Sequence, residues 1–492
     1  MGLIQIVSPP LIAYDRDIFG MIPSPPIGIA SIAAYMRQYG FVVNLIDAFG
    51  INPFQTKKYQ DKFVLIGLDI EDILERIDME AEIIGISVHS SMVAKFCIDL
   101  ALAVKAKTNK PVVVGGPHIS LNYRQFNMEG IDFAVIGEGE RTLVQLVETL
   151  RNGGDGKGIG GVATPGTTPV QEGEVVEMDA LPLPAWDLLP LENYWRTRMN
   201  HSPFKGKFIP MITSRGCPFK CSFCTTPLTS RGKWRAFSED RVVKEIKELH
   251  TVYGVEDIAI QDDNFSANPG RAIRICQMIK EQGIRVRLSL PSGVRTETLT
   301  PHTLDVFRQG GVSYLSLSPE SGSKKIRRLM NKPLNEKKFY ELQKHCRELN
   351  IRTGICFIIG NPKETMKDIL LTSKMIARTI LNGADDISVF IFSPLPGAPM
   401  AREFEEKFPK DFLGLCWTPK WRKDYPKWAI IRNLLYLEYL VLKIIFQPLS
   451  IWRHIRNILR REYETKGEMG IGRLIANHVP GNKKAWPVKP GE

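Results

Sequence analysis

Short apolar runs rich in β-branched residues alternate with helical stretches along most of this chain, and the alternation comes in two blocks. In the first block, strands are predicted at Leu3 to Val7, Val42 to Ile46, Ile83 to Val88, Val112 to Val114 and Phe133 to Ile136, with helices such as Ile27 to Tyr39 and Met92 to Lys107 between them. Strands apolar on both faces and separated by helices make a parallel sheet covered on both sides. In the second block, strands are predicted at Phe208 to Thr213, Asp257 to Gln261, Val286 to Leu290, Tyr314 to Leu317, Thr353 to Ile359 and Asp386 to Phe392. Six such units make an open, partial β/α barrel, whose chemistry sits at the C-terminal strand ends.

A chain of 492 residues exceeds one ordinary core and predicts about three domains. The stretch 151–177 is rich in Gly and Thr, and the proline-rich LPLPAWDLLP follows at 181–190. The expected layout is therefore a doubly wound sheet domain over 1–150, a linker with a small hairpin over 151–206, the partial barrel over 207–402 and a mainly helical, basic region over 403–492. With 43% hydrophobic and 24% charged residues the composition is globular, which excludes disorder, collagen and coiled coil for the whole chain. Eight cysteines are too few for a disulfide scaffold and fit a reducing cytoplasm. MGLIQIVSPP reads as a first strand entering a proline loop, not as a secretion signal.

Three of the cysteines, Cys217, Cys221 and Cys224, stand together in TSRGCPFKCSFCTTP after the first strand of the second block. Three thiolates at this spacing wrap one soft-metal centre from a single loop. A structural zinc would need a fourth ligand nearby, yet the other cysteines are isolated and the loop has no histidine. CxxxCxxC with Phe223 before the last cysteine resembles the radical S-adenosylmethionine (SAM) superfamily. The resemblance implies a four-iron, four-sulfur cluster on those three cysteines, with the fourth iron open to chelate SAM. An electron from the cluster then breaks the S–C5′ bond to give a 5′-deoxyadenosyl radical. It also implies SAM contacts from Phe223, from Asp262 and Asp263 in IQDDNF, and from Glu320 and Ser321 in SLSPESGS. Gly360, Pro362 and Glu364, then Pro394 and Gly397, follow the fifth and sixth strands in the same order as in that superfamily.

In the first block, PSPPIGIASIAAYMRQYGFVVNLIDA, GISVHSS, VVVGGPHIS and FAVIGEGERT resemble, in order, the segments of the cobalamin-binding domain that precedes many radical SAM proteins. This implies a cobalamin site at the strand ends. Ser87, Ser90 and Ser91 would cap a helix and donate to the nucleotide tail, and Gly115, Gly116 and Pro117 would let the backbone approach the ligand. His118 would stand beside them, with Gly137, Glu138 and Gly139 on the next turn. The chain lacks DxHxxG, so cobalamin is expected without a histidine on cobalt, and His118 reads as a loop histidine. GEGE lacks the GxGxxG pattern and the basic residue of a phosphate loop.

The domain order implies a methyltransferase in which the radical removes hydrogen from an unactivated carbon and methylcobalamin supplies the methyl group. It would require a low-potential electron donor of flavodoxin or ferredoxin type. Ring closure or rearrangement, for instance on a tetrapyrrole, is the alternative with the same cofactors. A methylthiotransferase would need a second cluster, yet Cys97 is the only cysteine before Cys217. A carrier or regulatory protein without turnover would differ by not cleaving SAM.

Residues 421–492 hold 14 Lys and Arg against 6 Asp and Glu. The apolar stretch 428–446 is interrupted by Arg432, Glu438 and Lys443, which argues against a membrane span. Core packing and peripheral contact with an anionic membrane both remain open, and nucleic acid is not the expected partner. The aromatics Trp417, Trp421, Tyr425, Trp428, Tyr436, Tyr439 and Trp452 suit an apolar or lipid-like small-molecule substrate, or a plain helical cap over the substrate side.

Overall fold

The computed structural model describes residues 2–15, 17, 22–60, 62–126, 128–169, 171, 173–416 and 418–478. Two compact units result, one built on Met1–Thr197 with Glu405–Cys416, the other on Arg198–Phe404 with the helical tail.

The first unit is a six-stranded sheet of β1 (Leu3–Ser8), β2 (Val42–Asp47), β3 (Ala81–Ser87), β4 (Val112–Gly115), β5 (Phe133–Val135) and β6 (Val162–Ala163), in the order β2-β1-β3-β4-β5-β6. All neighbours pair in parallel except β6, which runs antiparallel to β5. The predicted hairpin after residue 150 is thus an edge strand of the main sheet. Ile84, Ile86, Val112 and Val114 are buried in the core. The helix Ile27–Gln38 lies on the sheet through Ala30, Ala33 and Ala34, whose small side chains permit close approach. From β1 the chain goes to β2 on one side and to β3 on the other, and at such a switch point the ends of β1 and β3 open a crevice.

A small antiparallel sheet of Leu11–Tyr14, Phe63–Ile66 and Thr56–Tyr59 was not expected from the sequence. The linker also stays with the first unit further than expected. Tyr194, on the helix Leu191–Thr197, donates its hydroxyl to Asp47 Oδ2 at 2.7 Å. Burial pushes the Asp47 carboxyl up to about 6.

The second unit is a parallel sheet in which sequence order equals spatial order: β7 (Phe208–Met211), β8 (Asp257–Ile260), β9 (Arg287–Val294), β10 (Val312–Glu320), β11 (Arg352–Ile359) and β12 (Asp386–Ile391). Helices on the outside carry ordinary caps. Ser238 accepts the Arg241 amide at the start of Glu239–Tyr253, and Gly254 closes that helix in the left-handed region.

The tail helix Tyr425–Phe446 covers β12, the edge strand of the half-barrel. Arg422 donates to the carbonyls of Phe392 and Gly360, past the C-terminal ends of β12 and β11. Tyr436 accepts the Val389 amide in mid-strand, and Lys443 donates to Ala384 and Asp385 just before β12. The helix therefore runs down the strand and satisfies edge groups that would otherwise lie open. The helices Pro448–Arg460 and Lys466–His478 follow below. There Glu464 pairs with Lys205 and Arg352, and Gly467 N donates to Asp386 Oδ2 at 2.7 Å. The tail thus reaches both ends of the strands: Arg422 lies at their C-terminal ends, and residues from Lys443 onward anchor at their N-terminal ends. Trp417 lies outside the described residues.

Candidate active site

The cysteine loop leaves β7 and is closed at its base by a two-residue antiparallel ladder, Ser214 opposite Ala236 and Arg215 opposite Arg235. Gly216 has φ +84°, and a Cβ there would collide with the Lys233 carbonyl, so this position takes only glycine. The loop's far side is held by a turn after the helix Lys324–Leu329, where Ser222 N donates to Met330 O at 3.0 Å and Asn331 Nδ2 to Lys220 O at 2.6 Å.

Cys217, Cys221 and Cys224 are half-buried and free of disulfides. Burial pushes the Cys217 and Cys221 thiols up, and Lys332 and Arg295 pull Cys221 back toward the thiolate. Arg295 Nη1 is 3.5 Å from Cys221 Sγ, with its guanidinium 4.0 Å from the centre of the Phe219 ring. The Thr226 amide donates to Cys224 Sγ at 3.4 Å. Among the described residues no three His, Cys, Asp or Glu side chains close around a single ion. Three free thiols on one loop, with N–H donors and cations beside the sulfurs, fit an iron–sulfur cluster, which spreads its ligands around a cube.

Asp262 and Asp263 follow β8. Asp262 is 2% exposed, and its carboxylate accepts the Thr213 amide at 2.5 Å, the Thr213 hydroxyl at 2.5 Å and the Ser214 hydroxyl at 2.6 Å. Buried Arg271 holds Thr213 from the other side, donating to its carbonyl oxygen at 2.8 Å. Asp263 accepts the Gly216 amide at 3.1 Å and the Thr226 hydroxyl at 2.9 Å. Both carboxylates brace the cysteine loop at its root. Glu320 ends β10 in the left-handed region at φ 64°, a strained state for a residue with a side chain, and pairs with Lys332 at 2.5 Å. Ser321 is fully buried, with its hydroxyl 3.2 Å from Thr372 Oγ1. Phe223 is half-buried on the loop. Arg295, Ser318 and Lys332 line a small pocket between the ends of β9 and β10. The sequence reading missed Arg295, Lys332 and Arg271, because a lone basic residue near a strand end carries no motif.

Glu364, after β11, accepts the amides of Gly360 at 2.6 Å and Asn361 at 3.2 Å, and burial pushes its carboxyl up to about 7. A folded-state value above the unfolded 4.5 means that stability falls as pH rises from about 4.5 through about 7 and is level above. Glu364→Gln should therefore gain on the parent at about pH 8, by at most about 3 kcal/mol, and not at about pH 4. Melting curves at the two pH values check this, and a variant equally shifted at both would refute the titration.

At the strand ends of the first unit, His118 is 3% exposed. Its Nδ1 lies 3.0 Å from Ser91 Oγ and its Nε2 3.1 Å from Gln125 Oε1, so both nitrogens are occupied within the protein. Gly116 has φ +116°, and a Cβ there would sit 2.9 Å from the Val88 carbonyl oxygen. Strand-end packing alone already requires that glycine, while at Gly115 a Cβ would make only ordinary contact with Val135. Ser120 ties the β4 and β5 loops together, donating to Gly116 O and accepting the Gly137 amide at 2.9 Å. Pro117 opens the short helix after Gly116, and Glu138 and Gly139 open the helix Gly139–Arg151. Ser87 ends β3 and Ser90 and Ser91 follow in the loop after it, all three half-buried. The residues gather at one end of the sheet and leave small polar groups on its rim, which suits a nucleotide-like tail.

Residues 211–376 match the family model described as the radical SAM superfamily, and residues 23–147 match the B12 binding domain. An uncharacterised methyltransferase of Pyrococcus horikoshii is 29% identical over 85% of this chain and 85% of its own. Cytidylyl-2-hydroxyethylphosphonate methyltransferase of Streptomyces wedmorensis is 26% identical over 77% of each chain. The cobalamin-dependent SAM radical enzyme OxsB, solved with aqua-cobalamin and SAM, shares the fold with TM-score 0.69 at 15% identity, covering 97% of this chain and 78% of that one. A cysteine loop on the first strand of a partial barrel, in a chain whose preceding residues form a doubly wound sheet, thus defines a radical SAM enzyme with a B12-binding domain. Residues 211–376 are thus a radical SAM domain. The cofactors of such an enzyme are a four-iron, four-sulfur cluster, SAM and cobalamin.

Proposed function

We propose that this protein is a cobalamin-dependent radical SAM methyltransferase that methylates an unactivated carbon of a small, apolar or lipid-like molecule. The observation that carries the reading is the loop of Cys217, Cys221 and Cys224, which presents three free thiols from one braced turn in a chain that also has a B12-binding domain. When bound, the cluster and SAM supply a hydrogen-abstracting radical and cobalamin a methyl carrier, which side chains cannot provide. The chain's own part is placement. Asp262, Asp263 and Arg271 fix the loop, and Arg295 and Lys332 set positive charge beside the Cys221 sulfur. Phe223, Glu320 and Ser321 are the residues proposed to contact SAM, and the rim from Ser87 to Gly139 would hold cobalamin. A flavodoxin- or ferredoxin-type donor would supply electrons, and the helical tail would meet an anionic membrane.

The test is anaerobic turnover of the reconstituted protein with a reductant, SAM bearing a deuterated methyl group, and a metabolite extract from cells lacking the protein. The expected outcome is one labelled methyl group in a product, with 5′-deoxyadenosine and S-adenosylhomocysteine formed in equal amounts. 5′-Deoxyadenosine without label in any product would favour ring closure or rearrangement. Absence of both nucleosides would sink the enzymatic reading.

A further inference from the structure

The helix Tyr425–Phe446 buries one face against the half-barrel through Trp428, Ile431 and Leu435. Its other face is an uninterrupted apolar stripe at helical spacing: Ile430, Leu434, Leu437, Val441, Ile444 and Ile445, each at least 47% exposed. After Gln447 the helix Pro448–Arg460 repeats the pattern with Leu449 at 84%, Trp452 at 67%, Ile455 at 45% and Leu459 at 79% exposure. Scattered exposed apolar residues are ordinary, whereas contiguous stripes of this length mark an interaction surface. Among the described residues no helix is long and apolar enough to cross a membrane.

The charge around the stripes identifies the partner. The helices Met366–Leu381, Tyr425–Phe446 and Pro448–Arg460 expose Lys367, Lys374, Arg378, Lys427, Arg456 and Arg460 and no acidic residue. Asp368 is buried, and Glu438 is half-buried with Ser373 donating to it at 3.0 Å. A second copy meeting this face would set cations against cations with no carboxylate to offset them, whereas an anionic bilayer matches both the apolar stripes and the basic flanks.

We infer that these two stripes are a docking surface for an anionic lipid bilayer, with the helices lying in the headgroup plane and their apolar side chains sunk below it. The inference rests on the membrane contact in the proposed function and names the residues that make it. Trp452 and Leu459 enter the lipid, and Arg456, between them in sequence, and Arg460, just after them, meet lipid phosphates. The lower half of the barrel is thereby turned toward the membrane, because these helices are anchored at the N-terminal strand ends through Lys443, Arg453 and Glu464.

The test is flotation of the reconstituted protein with phosphatidylcholine vesicles and with vesicles containing phosphatidylglycerol, at low and high salt. The expected result is binding to the anionic vesicles at low salt that weakens at high salt. Trp452→Glu and Leu459→Glu should each lower that binding about tenfold or more. The double variant Arg456→Gln, Arg460→Gln should lose binding while melting like the parent. No binding to anionic vesicles at low salt would overturn the inference, as would undiminished binding by the stripe variants. A parent dimer in light scattering that Trp452→Glu makes monomeric would overturn it in favour of a second copy. Vesicle-free SAM cleavage is measured in parallel: cleavage without vesicle binding refutes only the docking surface, and vesicle binding without cleavage refutes only the enzymatic reading.

Discussion

Replacing Cys217, Cys221 or Cys224 with Ala is expected to leave a folded protein that takes up almost no iron on anaerobic reconstitution and lacks the broad charge-transfer absorption of a cluster. The three thiols lie half-exposed on a loop, so truncating them opens no cavity in a core. Each is one of three protein ligands, and iron retained after desalting should fall at least about tenfold, the lower bound set by what losing even a supporting group costs a metal site. Cys276→Ala is the control. Its thiol is buried in the helix Pro269–Glu281, and burial pushes it up to about 12, so it is inert as a ligand. That variant should lose some stability and keep its iron. Cys356→Ala, on β11, should keep it as well. Dependence of one cluster on a fourth cysteine would leave no open iron for SAM and would end the proposed chemistry.

The parallel architecture was legible because its strands are apolar on both faces and because the helices between them are of ordinary length. The strand-end positions of Cys217, Asp262 and Glu320 followed from the same pattern. What the sequence could not show was which way a side chain at a strand end turns. Asp262 and Asp263 are adjacent in IQDDNF and alike in chemistry, yet the first is sealed under Thr213 and Ser214 while the second reaches the outer edge of the same loop. His118 looked available in GGPH, and only tertiary packing brings Ser91 and Gln125 to its two nitrogens. The tail was ambiguous for a different reason. Its helix is apolar nearly all round, and a one-dimensional pattern cannot separate a face that packs on β12 from one that meets another phase. Arg295 and Lys332 converge on Cys221 from two different strand-end loops, a pairing with no local signature.

Asp262 is expected to act as a positioning residue for the cluster loop, and its removal should be the most damaging single change outside the cysteines. Asp262→Ala leaves the Thr213 amide and the hydroxyls of Thr213 and Ser214 without their acceptor in a site closed to water. At about 1 kcal/mol or more for each donor left unsatisfied, the cost is roughly 3 kcal/mol. Asp262→Asn keeps one acceptor oxygen and turns an NH₂ toward hydroxyl donors, so it should fall between the parent and the Ala variant. Asp263→Asn, whose bonds lie near the surface, should cost less than about 1 kcal/mol. Melting temperature and iron per protein should fall together along the series Asp263→Asn, Asp262→Asn, Asp262→Ala, because the loop that holds the thiols is the part left unsupported. A residue that touched SAM instead would behave differently: Asp262→Asn would melt and load iron like the parent and would lose only the change that SAM makes in the EPR spectrum of the reduced cluster. That result would return Asp262 to the role first read from the sequence and would shift the support of the loop to Arg271 and the ladder between Ser214–Arg215 and Arg235–Ala236.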